Sequence, residues 1–171
     1  MNATLAAWNS GTESSAMEAM LACCESKRWA AAMVALRPIA SVEALSQAAD
    51  RVWSTMQEPD WLEAFACHPR IGDSEATVAH ASAQSSAWSR QEQSSASVAN
   101  DLVLTELAED NQLYEQRFGF TYIVCATGKG AVEILTILKR RLASNREAEL
   151  REAAEQQRQI MQIRLGKWLV E

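Results

Sequence analysis

The chain has only two histidines, His68 and His80, so each is a candidate for proton transfer. His68 precedes Pro69 where a predicted helix ends. It is either a structural histidine that interacts with the last carbonyl groups of that helix, or a general acid–base, because histidine titrates near neutral pH. His80 lies in a stretch without turn signals, and we expect it to be structural or exposed. So few histidines exclude a histidine-rich metal site.

Glu92 and Arg164 are the charged residues whose surroundings suggest a role. Glu92 lies in the polar stretch Ser89-Arg90-Gln91-Glu92-Gln93, where a glutamate is usually just solvated. Arg164 shares one helix face with Ile160 and Trp168, at intervals of four residues. Its guanidinium either reaches water past this apolar stripe, or is buried against a carboxylate of the protein or of a substrate. Both interpretations of Arg164 remain open.

Composition and charge narrow the class of protein. The 171 residues suit one domain, and 48% hydrophobic with 22% charged residues is an ordinary globular balance. A net charge of −6 without a basic run longer than Lys139-Arg140-Arg141 argues against a nucleic-acid partner. No apolar stretch approaches the ~18 residues of a membrane span, and no signal peptide is recognisable. We therefore expect a cytoplasmic protein without membrane or nucleic-acid partners.

The four cysteines show no spacing typical of a metal site or of a disulfide framework. Two of them are adjacent and no pair is separated by two residues. Reduced, buried thiols are expected at all four positions, which are Cys23, Cys24, Cys67 and Cys125.

Six glycines, three prolines and many alanines favour helices over a turn-rich β architecture. Apolar spacing predicts a helix capped by Ser10, and an amphipathic helix from Asn100 to Tyr114 with Leu102, Leu107 and Leu113 inward. Other helices are predicted at residues 29–36, 42–55, 58–68, 131–142 and 147–169, with a serine-rich loop that enters a helix near residue 87. The fold class is therefore predicted as all-α, a single-domain bundle of about seven to nine helices over residues 1–171.

One stretch, residues 118–126, has the aromatic and β-branched composition of a strand. It has no obvious strand partner, and a lone strand cannot satisfy its ladder hydrogen bonds. We expect an extended buried segment whose free backbone groups serve a ligand. The following Gly128-Lys129-Gly130 resembles part of a phosphate loop, but the full motif is absent, and a turn before a helix is the better interpretation.

Several motifs together resemble the OHCU decarboxylases, where OHCU is 2-oxo-4-hydroxy-4-carboxy-5-ureidoimidazoline, a product of urate breakdown. His68-Pro69-Arg70-Ile71-Gly72 resembles the His-Pro-x-Ile/Leu-Gly signature of that family, and Ser89 to Gln93 resembles its Ser-x-x-Glu-Gln segment. Residues 117–129 resemble its extended segment, and Ile163-Arg164-Leu165 its C-terminal arginine segment. Each motif alone is weak, but their order and spacing agree over nearly the whole chain.

The resemblance implies an all-helical homodimer that decarboxylates OHCU to (S)-allantoin and CO2 without a cofactor or a metal. It implies His68 as the acid–base catalyst, Glu92 as its partner and Arg164 as the residue that grips the substrate. It also implies a set of pocket-lining residues, the last four through their backbone groups: Pro69, Ser89, Gln93, Ile123, Val124, Cys125 and Ala126.

The chemistry is compatible with so sparse a site. The carboxylate of OHCU lies on a carbon next to a ring C=N bond, into which the electrons left by CO2 can spread. The substrate therefore supplies its own electron sink, unlike reactions that borrow one from a cofactor. Two alternatives share the sequence features: a non-enzymatic helical interaction module, whose amphipathic helices form a partner groove, and a cofactor-free lyase that acts on another small carboxylic acid.

Overall fold

The computed structural model describes residues 2–72, 81–94 and 101–171. Within these ranges all regular structure is α-helical and no β-strand is formed, which confirms the all-α prediction. His80 lies outside the described residues, as does the predicted start of a helix at Asn100. The helices are α1 (Ala3–Ser10), α2 (Glu13–Cys23), α3 (Lys27–Ala35), α4 (Val42–Ser54), α5 (Glu58–Ala66), α6 (Ala83–Glu92), α7 (Asp101–Phe118), α8 (Ala131–Leu142) and α9 (Arg146–Trp168).

Short polar side chains cap the N-termini of several helices, and two of these caps correct predicted boundaries. The side chain of Thr12 accepts a hydrogen bond from the Ser15 amide and begins α2, whereas Ser10 is the last residue of α1. Ser82 accepts from the Ser85 amide, so α6 begins four residues before the predicted start near Ala87. Both corrections have the same cause, because several serines and threonines near each boundary can act as an N-cap.

The chain forms two compact units, the first of which contains the chain up to Ala64 together with residues 158–171. In this unit α2 packs against α3, and α3 against α4. Trp29 of α3 is fully buried, and its indole N–H donates to the carbonyl of Ala49 in α4. The predicted end of α3 before Pro38 is confirmed, and the Arg37–Pro38 peptide bond is cis.

The second unit contains residues 65–157, with α6, α7, α8 and the first half of α9. Here α7 packs against α8 around a cluster of aromatic rings. Tyr114 lies at the centre, with its ring centroid 4.7 Å from that of Phe118, 5.2 Å from that of Tyr122 and 5.7 Å from that of Phe120. Whether the two units act as the single domain predicted for residues 1–171 stays a prediction.

The buried face of α7 differs from the predicted one. Leu107 is buried as expected, but Leu102 is 81% exposed and Leu113 is 53% exposed in the single chain. The inward face instead carries Asn111, Tyr114 and Phe118. The predicted face of α7 was wrong because it was assigned by hydrophobicity alone. This unit instead buries Asn111 and Tyr114, whose side chains both donate hydrogen bonds. Among the described residues, no helix is both long and apolar enough to cross a membrane.

Candidate functional site

His68 lies two residues beyond α5, where its amide still donates to the carbonyl of Phe65 at 3.1 Å. Its half-buried ring places Nε2 2.7 Å from Oε1 of Gln157 on α9. Gln157 is itself only 1% exposed. The ring is therefore held by a buried side chain from a different helix, which favours a positioned functional histidine over one that merely ends α5.

The residues after His68 hold it in place. Ile71 is buried, and its carbonyl accepts a hydrogen bond from the side chain of Asn111. Gly72 has φ of +85°, in the left-handed region that favours glycine. A Cβ added at this position would lie 3.1 Å from the side chain of Leu107. The His-Pro-x-Ile-Gly pattern thus anchors the loop that follows α5 to the buried face of α7.

The last turn of α6 approaches the same loop. The side-chain amide of Gln93 lies 3.5 Å from the carbonyl oxygen of Pro69, a weak contact that nevertheless locates the helix end. Ser89 is 2% exposed and Glu92 is 8% exposed. The interpretation of Glu92 as an ordinary solvated glutamate is therefore wrong, because its side chain faces the interior.

Glu92 is also within electrostatic range of the extended segment. Burial raises the pKa of the Cys125 thiol, the ammonium group of Lys129 opposes this shift, and the carboxylate of Glu92 adds to it. Two predicted site residues of the second unit, Glu92 on α6 and Cys125 on the extended segment, therefore interact electrostatically.

The extended segment is confirmed as buried and non-helical from Tyr122 to Ala126. Side chains take the place of a neighbouring strand. The Ile123 carbonyl accepts from Nη1 of Arg141 at 2.6 Å, and the amide of Cys125 donates to Oε1 of Gln156 at 2.9 Å. The Cys125 carbonyl accepts from Nζ of Lys129 at 3.0 Å. These contacts explain how the backbone of this segment stays extended without a neighbouring strand.

Four of the five backbone N–H groups from Tyr122 to Ala126 have no hydrogen-bond acceptor among the described residues. Within residues 2–72, 81–94 and 101–171, no hydrogen-bond acceptor is found for the backbone N–H of Tyr122, Ile123, Val124 or Ala126, whereas that of Cys125 donates to Gln156. Buried amides are nearly always satisfied in folded proteins. Of the backbone groups that the sequence predicted for ligand binding, the Ile123 carbonyl and both groups of Cys125 have protein partners, whereas the amides of Ile123, Val124 and Ala126 have none among the described residues.

A buried ion pair supports the segment from behind. Arg141 on α8 is 4% exposed and Glu149 on α9 is 2% exposed. Nε of Arg141 lies 3.0 and 2.9 Å from the two carboxylate oxygens of Glu149. The Tyr114 hydroxyl donates to the same carboxylate. Burial raises the pKa of Tyr114, so the phenol stays protonated and serves as a donor. This network fixes the position of the Ile123 carbonyl.

Arg164 lies on α9 in the first unit and is only 1% exposed. The interpretation that its guanidinium reaches water past an apolar stripe is therefore wrong. Burial raises the pKa of the Cys23 thiol in this unit, and the positive charge of Arg164 acts against that shift. A buried guanidinium is costly unless an anionic or polar group compensates it, which agrees with the alternative given for this residue from the sequence.

Comparison with known proteins identifies the family. The sequence model of the OHCU decarboxylase family matches residues 9–166. The chain belongs to the OHCU decarboxylase family. A crystal structure of OHCU decarboxylase in the presence of (S)-allantoin superimposes with a TM-score of 0.76 at 33% identity, covering 94% of this chain and 100% of that one. A crystal structure of (S)-allantoin synthase, at 18% identity and a TM-score of 0.68, shares the fold and covers 96% of this chain and 53% of that one.

Two longer relatives are named as bifunctional proteins of uric acid degradation. The uric acid degradation bifunctional protein TTL of Arabidopsis thaliana is 36% identical over 145 residues, which are 85% of this chain and 44% of that protein. The uric acid degradation bifunctional protein of Bacillus sp. (strain TB-90) is 28% identical over 132 residues, which are 75% of this chain and 24% of that protein. This OHCU decarboxylase family member therefore spans less than half the length of either bifunctional relative.

The sequence pattern missed two glutamines and an ion pair of this OHCU decarboxylase family member. Gln156 and Gln157 hold the Cys125 amide and the His68 ring. The sequence could have pointed to Gln157. It lies seven residues before Arg164 on α9, and therefore on the same helix face as Arg164 and Ile160. The pair formed by Arg141 and Glu149 gave no such signal, since charged residues on amphipathic helices are usually solvated.

Proposed function

We propose that this chain catalyses the decarboxylation of OHCU to (S)-allantoin and CO2, as a carboxy-lyase of urate breakdown. The observation that carries the proposal is the position of the half-buried His68 ring. Gln157 holds the ring, and Gln93 at the end of α6 contacts the carbonyl of the next residue, Pro69. Family membership over residues 9–166 supports the same reaction.

The proposed roles follow from what the reaction requires of the protein. OHCU provides its own electron sink, so the protein has to bind the ring, orient it, remove water from the carboxylate and return one proton to one face. We propose that His68 and Glu92 hold the 4-hydroxyl group and the ring and help to move protons. Protonation on one face gives the S enantiomer. No cofactor and no metal has a part in this scheme.

Arg164 and the backbone complete the proposed binding site. A buried guanidinium gains most from an oxygen-rich anionic ligand, because two parallel N–H groups match such a ligand. We assign the carbonyl and ureido oxygens of the substrate to Arg164 and to the amides of Val124 and Ala126. Ser89, Pro69 and Gln93, with the backbone of Ile123 and Cys125, line the pocket in this proposal.

The assay is direct. OHCU is generated in situ from urate, and the circular dichroism of the allantoin formed is followed with and without the protein. We expect optically active allantoin to appear faster with the protein. His68→Asn should abolish the acceleration and keep the helical spectrum, while Gln47→Leu, at an exposed position of α4, should keep both. Allantoin that forms no faster than in buffer would refute the proposed function and favour the interaction-module or other-lyase alternatives.

We also propose a cytoplasmic homodimer. All four cysteines are buried free thiols, which suits a reducing compartment. Leu102 and Leu113 lie eleven residues apart on α7, on one face and exposed in the single chain. Light scattering should give twice the chain mass, and Leu102→Glu combined with Leu113→Glu should lower it to one chain. A wild-type protein that scatters as a monomer at micromolar concentration would contradict the dimer.

A further inference from the structure

We propose that Gln157 sets the tautomer of His68, so that Nδ1 is the nitrogen that exchanges a proton with the substrate. This inference rests on the decarboxylase function proposed above and adds a positioning residue to it. The carbonyl oxygen of the Gln157 amide, Oε1, lies 2.7 Å from Nε2 of His68.

A carbonyl oxygen has no proton to donate. A contact of 2.7 Å is therefore a hydrogen bond only when the proton is on Nε2 of the imidazole. In the neutral ring the other nitrogen, Nδ1, then carries the lone pair. The opposite tautomer would set two lone pairs against each other at 2.7 Å, a repulsive contact at a side chain that is 1% exposed.

The type of residue at position 157 matters as much as its location. In a catalytic triad, a carboxylate orients the histidine and also stabilises its positively charged form. An amide fixes the same tautomer without a negative charge. The ring can therefore take up a proton at Nδ1 and release it again without the deep electrostatic stabilisation of the imidazolium that a carboxylate would add. This suits a reaction in which a proton must be returned to the product.

Helix α9 connects this contact to the extended segment. The adjacent Gln156 accepts from the Cys125 amide, and its own amide nitrogen donates to Glu152 at 3.0 Å, which fixes the orientation of its side chain. Successive residues on a helix are separated by only 1.5 Å along the axis. Gln156 and Gln157 therefore fix the position of the His68 ring relative to the extended segment.

The tautomer can be read without substrate. Long-range proton–nitrogen correlation spectra of 15N-labelled protein distinguish a protonated from a bare imidazole nitrogen, and only two histidines contribute signals. His68→Asn assigns the His68 signals. In the wild type, above the pH where the ring is charged, we expect Nε2 to be protonated and Nδ1 to be bare. A wild-type ring protonated at Nδ1 would overturn the proposal, whatever the activity of the protein.

Variants then connect the tautomer to turnover. Gln157→Leu should remove the preference for Nε2–H and lower kcat about tenfold, as expected for loss of one ordinary hydrogen bond that orients the base, while KM changes less than about twofold. Gln157→Glu retains an acceptor and should keep the Nε2–H signature. The matched control Gln47→Leu should change neither. If Gln157→Leu leaves both tautomer and kcat unchanged, Gln157 has no positioning role; should that variant fail to fold, the wild-type and Gln157→Glu spectra decide.

Discussion

Removing the carboxylate of Glu149 is expected to destabilise the second unit far more than the loss of a surface charge would. The substitution Glu149→Gln takes away the counter-charge from both Nε contacts of Arg141 and weakens the acceptor of the Tyr114 hydroxyl. With Arg141 4% exposed and Glu149 2% exposed, water cannot replace the lost charge. Breaking one side of a buried pair costs about 3–5 kcal/mol, a large fraction of the roughly 5–15 kcal/mol that holds a domain together.

The same reasoning predicts the outcome of removing both charges. Combining Arg141→Met with Glu149→Gln leaves no buried charge, so the double variant should cost about as much as either single one. The remaining loss comes from the Ile123 carbonyl, which loses its 2.6 Å contact with Arg141, and from the Tyr114 hydroxyl. An unsatisfied buried group of this kind costs about 1–3 kcal/mol. The expected coupling energy is therefore about 3 kcal/mol.

Urea unfolding of the four proteins in this cycle, followed by far-ultraviolet circular dichroism, measures the coupling. Arg151→Met combined with Glu147→Gln is the matched control, since that pair on the first turns of α9 has side chains 74% and 77% exposed. The control midpoint should stay close to that of the wild type. Single effects of Arg141 and Glu149 that add to within about 0.5 kcal/mol would refute the reasoning, because independent sites add in that way.

Further predictions concern pH, binding and metals. Burial raises the pKa of Cys125, Tyr114 and Tyr122 in the folded chain, so above the ordinary cysteine value of 9.0 the unfolded state loses protons first. The free energy of unfolding should therefore decrease as the pH rises above that value; a constant value up to pH 10.5 would contradict the prediction. In native protein at pH 8, Cys125 should react with iodoacetamide more slowly than the same residue in urea, as judged by peptide mass spectrometry. Arg164→Met should raise KM for OHCU at least about tenfold, as expected for a lost charged hydrogen bond, while Arg151→Met should not; equal KM values would remove Arg164 from the binding site. Dialysis against EDTA should leave turnover unchanged, and inhibition that Zn²⁺ or Mg²⁺ reverses would disprove a metal-free reaction.

Local sequence patterns predicted most helices but did not predict which polar residues of those helices are buried. The spacing of apolar residues located α4 and α8 to within one residue, because hydrophobic periodicity is regular in both helices and the Ser41 side chain also caps α4. It misplaced the start of α6, where serines at many positions offer equivalent caps. It also assigned Leu102 and Leu113 of α7 to the interior. Periodicity identifies a face only when the buried side is the apolar side.

The site was predictable in its residue types but not in its supporting contacts. His68, Glu92 and Arg164 were candidates from the sequence, and the interior location of Glu92 and Arg164 agrees with the functional interpretation of each. Gln157 was not a candidate, because 89 residues separate it from the ring that it contacts. No local propensity encodes a contact over that distance, since only tertiary packing brings the end of α5 to α9.

Helix α6 shows why buried polar residues, rather than apolar patterning, indicate function in this chain. Four of its residues are buried, and three of them, Ser85, Ser89 and Glu92, are polar. Stability alone would favour apolar residues on that face, because a buried hydroxyl or carboxylate loses hydration and regains it only through specific partners. The arrangement is reasonable if the face has to present oxygen atoms to a polar ligand. The helix that composition alone would assign to a serine-rich linker therefore buries polar side chains that suit the binding site proposed above.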